Sequence, residues 1–308
     1  MKKKILITGA HGDISISIYK ILKKNYKNKF LIDGMDCKSN GPGSFFLKKI
    51  IKSPRVNEKN FQYFVKKIFS EYDLIIPTPE DEIVYFCKNK KIFLKYPILM
   101  NDPKIVLLFV DKILTNNFLT TNNILAPKFS IKISQLKNFK IPFFLKKKIG
   151  HGNINYKAIK SMKDFSQIKK LNKNQWIAQE YFDESYSEYT CCLIKLGTFI
   201  EIIIMKRKLL LGYTFYSEVV NDQLIKKNLI KLAKKLNFNG SINIQIKKKP
   251  NKAAIFEINP RLSSTVLMRD MYGFKDCKWW IEYFLYKKIP KKINIKKGRI
   301  LKLSTEKF

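Results

Sequence analysis

The 308-residue sequence has few of the cysteines and histidines that are typical of a disulfide-bonded or metal-binding fold. Its five cysteines are odd in number and none are spaced as Cys-x-x-Cys, so neither a disulfide framework nor a zinc site is indicated. Only two histidines occur, His11 and His151, each beside glycine, and they do not suggest a metal cluster. No run of about 18 uncharged apolar residues exists, which argues against a membrane span.

The first residues, 1–9, combine three lysines with an apolar stretch that could be mistaken for a signal peptide. The apolar stretch is too short, however, and Thr8 and Gly9 interrupt it. We therefore expect a first β-strand here and a cytoplasmic protein. Hydrophobic residues make up 45% of the chain and aromatic residues 13%, which predicts a folded protein of about two domains.

Acidic residues are scarce, since 24 Asp and Glu stand against 61 Lys and Arg and leave a net charge of +37. Binding to nucleic acid or to a membrane surface would explain this charge. Such footprints cluster on one face and favour arginine, whereas this chain has five arginines and scatters its lysines through every segment. A composition biased towards Lys, Asn and Ile explains the charge without a ligand, so we expect neither nucleic acid nor membrane as a partner.

The first hundred residues alternate between strand and helix patterns. Residues 4–8, 30–32 and 73–77 are apolar strands, and apolar residues recur at helical spacing in 14–22 and 61–69. Repeated β-α-β units predict a parallel, doubly wound sheet. The sequence therefore indicates an α/β domain over residues 1–103.

Longer strands of antiparallel style follow a predicted helix at 104–121. We predict strands at 176–180, 190–196, 198–205, 242–246 and 254–259, with an amphipathic helix at 224–236. A Lys-Pro-Asn-Lys turn between the last two strands predicts a hairpin. We expect an α+β domain over 104–286 and a basic tail over 287–308 that contains one strand-like stretch, 299–303.

The predicted hairpin carries the most informative polar side chains. Side chains alternate across a strand, so Glu257 and Asn259 share one face, and Gln245 can meet them from the partner strand. Oxygen ligands on rigid strands suit Mg²⁺, which takes a few protein oxygens together with nucleotide phosphates. Arg261 follows directly and places a guanidinium beside this patch. A solvent-facing polar edge is the simpler interpretation of the hairpin taken alone.

Two further segments are consistent with nucleotide binding. A strand ending at Lys146 enters a loop with Gly150 and Gly152, whose backbone N–H groups can cover phosphates while the ammonium group neutralises them. A second strand runs into residues 180–182, which can offer backbone edges to a purine, and Glu188 can reach ribose hydroxyls. An ordinary acidic loop is the alternative for this second segment.

In this order the elements resemble the ATP-grasp superfamily, and specifically its carbamoyl-phosphate-synthase-like branch. The motifs that carry the resemblance are Asp111-Lys112, the Lys146 to Gly152 loop, Gln179-Glu180-Tyr181, Glu188-Tyr189-Thr190, Asn243-Ile244-Gln245 and Glu257-Ile258-Asn259-Pro260-Arg261. The resemblance covers roughly residues 1–285. It implies a Rossmann-like pre-ATP-grasp domain followed by a two-lobed ATP-grasp domain. Lys147 replaces the proline of the family's glycine loop, and the chain is far shorter than a carbamoyl-phosphate synthase.

The resemblance implies an ADP-forming ligase that joins a small carboxylate to an amine through an acylphosphate, with ATP and Mg²⁺ or Mn²⁺ as cofactors. The residues to which it assigns roles fall into three groups. Nucleotide-binding residues are Lys112, Lys146, Gly150, Gly152, Glu180, Tyr181, Phe182 and Glu188; metal ligands are Gln245, Glu257 and Asn259; catalytic residues are Arg261, at the acylphosphate, and Arg207, at the acceptor carboxylate.

Two other functions stay open on the sequence. Residues 8–15 resemble the TGxxGxxG start of NAD(P)-dependent short-chain dehydrogenases and epimerases, although Ser15 replaces the third glycine. Tyr-x-x-x-Lys spacings occur at Tyr156–Lys160 and Tyr283–Lys287, but such pairs arise by chance where both residues are abundant. A basic nucleic-acid-binding protein without catalysis is the second alternative. A homodimer is a possible assembly.

Overall fold

The computed structural model describes residues 2–130, 141–148, 156–167, 176–291 and 294–303. Its N-terminal unit alternates strands with helices, as the periodicity predicts. The strands are β1 (Lys3–Thr8), β2 (Phe30–Asp36), β3 (Ile50–Lys52) and β4 (Leu74–Ile76); the helices are α1 (Asp13–Tyr26), α2 (Phe61–Phe69), α3 (Glu80–Lys88) and α4 (Lys90–Phe93), with a 3₁₀ turn at Pro42–Phe45.

The four strands form a parallel sheet in the order β3-β2-β1-β4. Ile5, Leu6 and Ile7 of β1 are all fully buried because helices cover both faces of the sheet. The predicted α/β class is therefore confirmed. The order of strands reverses between β1 and β4, so the loops that follow these two strands lie side by side at the carboxyl edge of the sheet.

A pair of short helices, α5 (Pro103–Val110) and α6 (Lys112–Thr121), follows the parallel sheet. The expectation of one continuous helix over 104–121 is wrong because Asp111 has an extended backbone and ends the first helix. Its side chain then accepts hydrogen bonds from the backbone N–H groups of Ile113 and Leu114, which starts the second helix. The break places Lys112 in the first turn of α6.

Two antiparallel sheets make up the rest of the described chain. The strands are β5 (Phe129–Ser130), β6 (Phe143–Lys147), β7 (Tyr156–Ile159), β8 (Trp176–Glu180), β9 (Ser187–Leu196), β10 (Phe199–Leu210), β11 (Tyr213–Val219), β12 (Gly240–Lys249), β13 (Lys252–Asn259) and β14 (Arg299–Leu301). The helices are α7 (Met162–Gln167), α8 (Gln223–Lys235), α9 (Val266–Met271) and α10 (Asp276–Tyr286). The smaller sheet has the order β5-β8-β6-β7, and the larger has the order β13-β12-β9-β10-β11-β14.

The larger sheet contains the predicted hairpin and part of the predicted basic tail. Strands β12 and β13 pair in antiparallel register, which confirms the hairpin. Strand β14, from the segment expected to be a tail, adds an edge strand beside β11, and Lys302 forms an ion pair with Asp13 of α1. Residues 299–302 are therefore integrated into the fold.

The N-terminal unit and the larger sheet share one hydrophobic core. Apolar side chains of β1 and α1 pack in the same cluster as those of β9, β10, α9 and α10, including Trp279 and Trp280. Asn101 reinforces this contact, since its amide donates to the backbone carbonyls of Ser241 and Pro260 at 2.9 and 2.8 Å. Among the described residues, no helix is long and apolar enough to cross a membrane.

Glu82, in the first turn of α3, should make the stability of the fold depend on pH. Burial raises the pKa of its carboxyl group from the ordinary 4.5 to about 7, with Asp36 and Asp81 acting in the same direction and Thr8 in the opposite one. The unfolded chain then ionises Glu82 at a lower pH than the folded chain, so stability falls as pH rises from 4.5 towards 7.

The Glu82→Gln variant cannot ionise at this position, so we expect its stability not to fall over this pH range. At about pH 8 its unfolding free energy should be higher than that of the wild type by roughly 2 to 3 kcal/mol. Urea unfolding at about pH 5 and about pH 8 measures the difference, and Glu71→Gln, at an exposed site of the same unit, is the control. Equal pH profiles for the wild type and Glu82→Gln would contradict the assignment.

Candidate active site

The hairpin of β12 and β13 brings the three predicted metal ligands together. Gln245 lies directly opposite Glu257, and Asn243 lies directly opposite Asn259, so all four side chains share one face of the sheet. The amide nitrogen of Asn259 donates to Glu257 Oε1 at 2.8 Å. A bulge after Gln245 shifts the register of the rest of the hairpin but leaves these two pairs intact.

A cleft opens beside this face of the hairpin. Its walls come from α5, α6, the end of β8, β13 and the first turn of α3. The lining residues are Glu80, Phe109, Val110, Lys112, Thr115, Asn116, Leu119, Pro127, Gln179, Ile255, Phe256, Glu257, Ile258, Asn259 and Pro260. The cleft therefore contains two of the predicted metal ligands and one of the two predicted phosphate-binding lysines.

Lys146 reaches towards this site from β6 in the smaller sheet. Its ammonium group lies over the rings of Phe144 and Phe256, at 5.7 and 5.2 Å from their centroids. Burial lowers the pKa of Lys146 to about 8, and the neighbouring charge of Glu257 acts against this decrease while that of Lys112 adds to it. A buried lysine with a lowered pKa is suited to binding an anion that restores its charge.

Lys112 approaches the same carboxylate from α6. Burial lowers the pKa of its side chain, and the negative charges of Glu257, Glu80 and Asp111 act in the opposite direction. Its backbone N–H donates to the carbonyl of Lys148 at 3.0 Å, which joins α6 to the end of β6. Lys146 thus comes from a strand of the smaller sheet and Lys112 from helix α6, and both lie near Glu257.

Glu188 lies at the centre of an ion-pair network on the larger sheet. Strand β9 places it directly between Arg207 on β10 and Lys247 on β12. Its carboxylate accepts from Arg207 Nη2 at 2.6 Å and from Lys247 Nζ at 2.7 Å, and Arg207 also donates to Gln245 Oε1 at 2.9 Å. These cations hold the pKa of Glu188 below its ordinary value despite burial.

This network changes the interpretation of Glu188 and Arg207. The sequence predicts Glu188 at ribose hydroxyls and Arg207 at an acceptor carboxylate, whereas the structure pairs the two side chains with each other. Arg207 is 8% exposed and also donates to Thr214, so its guanidinium is engaged by neighbouring side chains. The structure brings both residues close to Gln245 at one end of the predicted metal site.

Arg261 lies on the other side of the site, against the N-terminal unit. Its Nη2 lies 3.3 Å from Glu80 Oε2, and its Nη1 donates to the carbonyl of Leu262. Asn101 holds the adjoining Pro260 through its carbonyl. The N-terminal unit therefore orients the guanidinium that follows the hairpin.

The predicted adenine-binding residues at the end of β8 are in different environments. Glu180 forms an ion pair with Lys252 and accepts from the backbone N–H of Lys128. The ring of Tyr181 packs on that of Phe144 at 4.8 Å. Phe182 is buried in a small cluster, so its side chain belongs to the core, which leaves only its backbone to meet a purine. Gly150 and Gly152 lie outside the described residues.

Sequence reasoning missed two residues that the structure places at the site, Glu80 at the cleft and Lys247 beside Glu188. It named Asn243 in a motif without assigning it a role, and the structure places Asn243 opposite Asn259. Glu80 follows a parallel strand, where ligands commonly bind, and that position was the available signal. Lys247 carried no signal, because lysine is abundant throughout the chain.

The glycine turn after β1 is not arranged like an open dinucleotide site. The segment around Gly43 packs so closely on this turn that a Cβ there would lie 2.2 Å from the carbonyl oxygen of Ala10. Ser15 is buried, and its hydroxyl contacts the carbonyl of Gly9 and the hydroxyl of Thr78. A pyrophosphate would have to displace this packing, so the geometry does not favour the dehydrogenase alternative.

Deprotonation of Lys146 at higher pH should weaken nucleotide binding. Phosphate groups raise the pKa of a lysine that they contact, so Mg-ADP affinity should decrease by about tenfold per pH unit above the free pKa. That free pKa is about 8. Titration calorimetry between about pH 7 and about pH 9 measures this slope.

Lys146→Met should bind Mg-ADP more weakly than the wild type at neutral pH, and its affinity should depend less on pH because the titrating ammonium group of Lys146 is absent. Lys147→Met is the matched control, because Lys147 follows on the opposite face of β6 and lies over Trp176. A wild-type affinity that is flat across this range would contradict the placement of Lys146 at the phosphates.

Known proteins resemble this chain in part of its sequence and in its fold. Residues 172–305 match the family described as ATP-grasp in the biosynthetic pathway with Ter operon. No curated protein matches the chain.

Three solved structures cover nearly the whole chain. One is N5-carboxyaminoimidazole synthetase from Staphylococcus aureus complexed with ADP (TM-score 0.77, 15% identity, 96% of this chain and 81% of that chain). Another is the biotin carboxylase domain of Hydrogenobacter thermophilus 2-oxoglutarate carboxylase with MgADP and bicarbonate (TM-score 0.75, 12% identity, 97% and 73%). A third is an L-amino acid ligase from Bacillus licheniformis (TM-score 0.70, 12% identity, 92% and 74%).

These similarities establish the fold of the chain. The chain has the ATP-grasp fold over nearly its whole length, and that fold is the one found in the ligase-type structures it resembles. The family match covers residues 172–305 alone, and membership of the ATP-grasp superfamily stays a prediction. Its place in the carbamoyl-phosphate-synthase-like branch stays a prediction.

Proposed function

We propose that the chain is an ATP-dependent carboxylate–amine ligase, or a related C–N ligase, that acts through an acylphosphate and releases ADP. The observation that carries the proposal is the convergence of Lys112 and Lys146 on Glu257, with Arg261 paired to Glu80, which lines the same cleft. Two cations beside a carboxylate and amide patch suit a metal-bound triphosphate.

The oxygen atoms on this face fit a magnesium ion. Glu257, Asn259 and Gln245 supply carboxylate and amide oxygens, the ligands that Mg²⁺ prefers. We expect nucleotide phosphates to supply further ligands, because Mg²⁺ usually combines a few protein oxygens with substrate phosphates. When bound, Mg²⁺, or Mn²⁺ in its place, would neutralise phosphate charge and align the phosphate oxygens.

The proposed reaction has two steps. A carboxylate oxygen attacks the γ-phosphorus of ATP, the bond from this phosphorus to the bridging oxygen breaks, and ADP leaves. An amine nitrogen then attacks the carbonyl carbon of the acylphosphate, phosphate leaves, and the nitrogen gives up a proton. Lys112 and Lys146 would hold the phosphates, and Arg261 would stabilise the charge that develops on the acylphosphate.

Nucleotide contacts beyond the phosphates are part of the same proposal. The backbone at Glu180, Tyr181 and Phe182 lies beside the cleft wall formed by Gln179 and would meet adenine. The complexes of the S. aureus synthetase with ADP and of the H. thermophilus domain with MgADP support binding of ATP and Mg²⁺ at this fold.

The test is a screen for ADP release with Mg-ATP and paired sets of small carboxylates and amines. We expect ADP and phosphate in equal amounts, with both dependent on a carboxylate. Release of AMP and pyrophosphate would contradict the acylphosphate route. Absence of heat on titration with Mg-ATP would contradict nucleotide binding altogether.

A further inference from the structure

The hairpin of β10 and β11 ends in an exposed apolar turn. Leu210 lies directly opposite Tyr213, so Leu211 and Gly212 form a two-residue loop. The side chains of Leu210, Leu211 and Tyr213 are 60%, 90% and 61% exposed. Strand β14 runs antiparallel to β11 towards this end of the hairpin, and Leu303, which follows β14, is also exposed. Single exposed leucines are common, whereas a contiguous exposed apolar group indicates an interaction surface.

The backbone of this loop is unfavourable for a leucine. Leu211 has a φ of 50° and Gly212 a φ of 83°, both in the left-handed region. A two-residue hairpin loop of this kind favours Asn-Gly or Asp-Gly, because a larger side chain crowds the neighbouring carbonyl oxygen there. Asparagine would fit the same backbone at a lower conformational cost and with a polar side chain. Strained backbone of this kind clusters at sites that bind a ligand or a partner.

Basic and aromatic residues lie next to this apolar end. Lys206 and Lys208 are exposed on β10, and the sequence contains no Asp or Glu between Glu201 and Glu218. The ammonium group of Lys208 lies 5.8 Å from the centroid of the Tyr216 ring. Leucine at the end, then tyrosine, then lysine matches the layers of an anionic lipid surface, which are hydrocarbon, interface and charged headgroups.

We propose that the end of this hairpin docks on an anionic lipid surface. Leu210 and Leu211 enter the apolar layer beneath the headgroups, and Lys206 and Lys208 contact the lipid phosphates. Burial of apolar side chains and attraction between lysine and anionic lipid both contribute to this type of binding, which needs no membrane-spanning helix. Composition alone predicts no membrane partner, because the lysines are scattered; the exposed apolar end becomes visible only in the structure.

A second copy of this chain fits the hairpin end less well than a lipid surface does. Two copies with a net charge of +37 each repel one another, and Lys206 and Lys208 would lie within that contact. An anionic surface compensates the same two charges. The charge of the hairpin therefore favours lipid over self-association.

Docking through this end would bring the candidate active site close to the lipid. Arg207 lies four residues before Leu211 on the same strand, which corresponds to roughly 13 Å of extended chain. Its guanidinium contacts Glu188 and Gln245 at the predicted metal site. Lipid binding does not depend on ATP or on the proposed ligase reaction, so either proposal can fail without the other.

Co-sedimentation of the full chain with vesicles tests the proposal. We expect binding to mixed phosphatidylcholine and phosphatidylglycerol vesicles to be at least about tenfold tighter than to pure phosphatidylcholine vesicles. Leu211→Asn should lower the affinity for the mixed vesicles by at least about tenfold, because one leucine no longer enters the apolar layer.

The Leu211→Asn variant also excludes unfolding as the cause of lost binding. Asparagine favours the backbone of this loop, so the variant should unfold at the same urea concentration as the wild type or at a higher one. Leu94→Asn is the matched control, because Leu94 is 63% exposed in the N-terminal unit and lies outside the hairpin. It should bind the mixed vesicles as the wild type does.

A pair of double variants separates the position of the lysines from the net charge. Lys206→Gln with Lys208→Gln should lower the affinity for the mixed vesicles by about tenfold or more. Lys226→Gln with Lys227→Gln removes the same charge from exposed positions on α8 and should have little effect. An equal decrease in both double variants would assign the binding to net charge and overturn the proposal.

Fluorescence distinguishes insertion from adsorption on the headgroups. Tyr213→Trp places a tryptophan at the hairpin end, whereas Trp176, Trp279 and Trp280 are buried. Lipids brominated on their acyl chains should quench the fluorescence of Tyr213→Trp in the mixed vesicles and leave that of the wild type unchanged. Absence of quenching would contradict insertion of the hairpin end.

Two further results would overturn the inference. The first is wild-type affinity of Leu211→Asn for the mixed vesicles, which would show that the leucine does not enter the lipid. The second is a dimer, detected by sedimentation velocity, that Leu211→Asn dissociates while no variant binds vesicles. That result would assign the hairpin end to a second copy of the chain.

Discussion

Replacement of Glu257 by glutamine should lower carboxylate-dependent ADP release by about a thousandfold, or about 4 kcal/mol in transition-state free energy. The side chain keeps its size and its hydrogen-bonding oxygen, so packing against Asn259 should survive. What it loses is the one carboxylate among the three predicted metal ligands. The same charge acts on both Lys112 and Lys146, so the substitution also removes the strongest compensating charge from two buried cations.

Two measurements together distinguish metal binding from a general defect. Calorimetry of Glu257→Gln should show that Mg²⁺ no longer strengthens ADP binding, whereas ADP alone still binds. Glu201→Gln, at the far end of β10 in the same sheet, should behave as the wild type. Full activity of Glu257→Gln would exclude Glu257 from the site.

Removal of Arg269 should destabilise the fold strongly, because its charge is paired deep in the core. Arg269 is fully buried, and its guanidinium donates to both carboxylate oxygens of Asp276 at 3.2 and 2.8 Å. Arg269→Met leaves the buried Asp276 without its cation, and such a loss typically costs about 3 to 5 kcal/mol of unfolding free energy. Chemical denaturation measures this cost directly.

The double variant with Arg269→Met and Asp276→Leu should recover most of this stability, because a buried ion pair replaced by apolar side chains is often neutral. The recovered protein then tests whether the pair also positions the site. Arg269 donates to Ser263, whose hydroxyl donates to Asn243, and Asn243 lies opposite Asn259. We expect weaker Mg-ADP binding in the double variant at restored stability; a double variant as unstable as Arg269→Met would contradict the pairing argument.

Part of the geometry of the hairpin could be predicted from the sequence. The alternation of polar and apolar residues over 242–246 and 254–259 predicts which side chains share a face, because that period is a local property of a strand. It does not predict the register between the two strands, which the structure supplies by placing Gln245 opposite Glu257. The bulge after Gln245 shows that a simple count from the turn would have given a different pairing.

The contact between Arg207 and Glu188 could not be predicted from the sequence. Each was assigned a ligand contact separately, but their strands are neighbours in the sheet and their charges are opposite. The pairing of β9 with β10 brings them together, and a buried carboxylate between two cations is then engaged by the protein itself. Their contact was not visible in the sequence, because the two residues stand on different strands whose register depends on the fold.

The sequence by itself determined the parallel α/β unit, the antiparallel region and the oxygen-rich hairpin, because these follow from side-chain periodicity and local turn chemistry. Only the tertiary structure decided that Glu80 meets Arg261, two residues separated by 181 positions in the chain. It likewise decided that lysines from β6 and α6 converge on Glu257. Such contacts depend on the packing of distant elements, and no local pattern of residues encodes them.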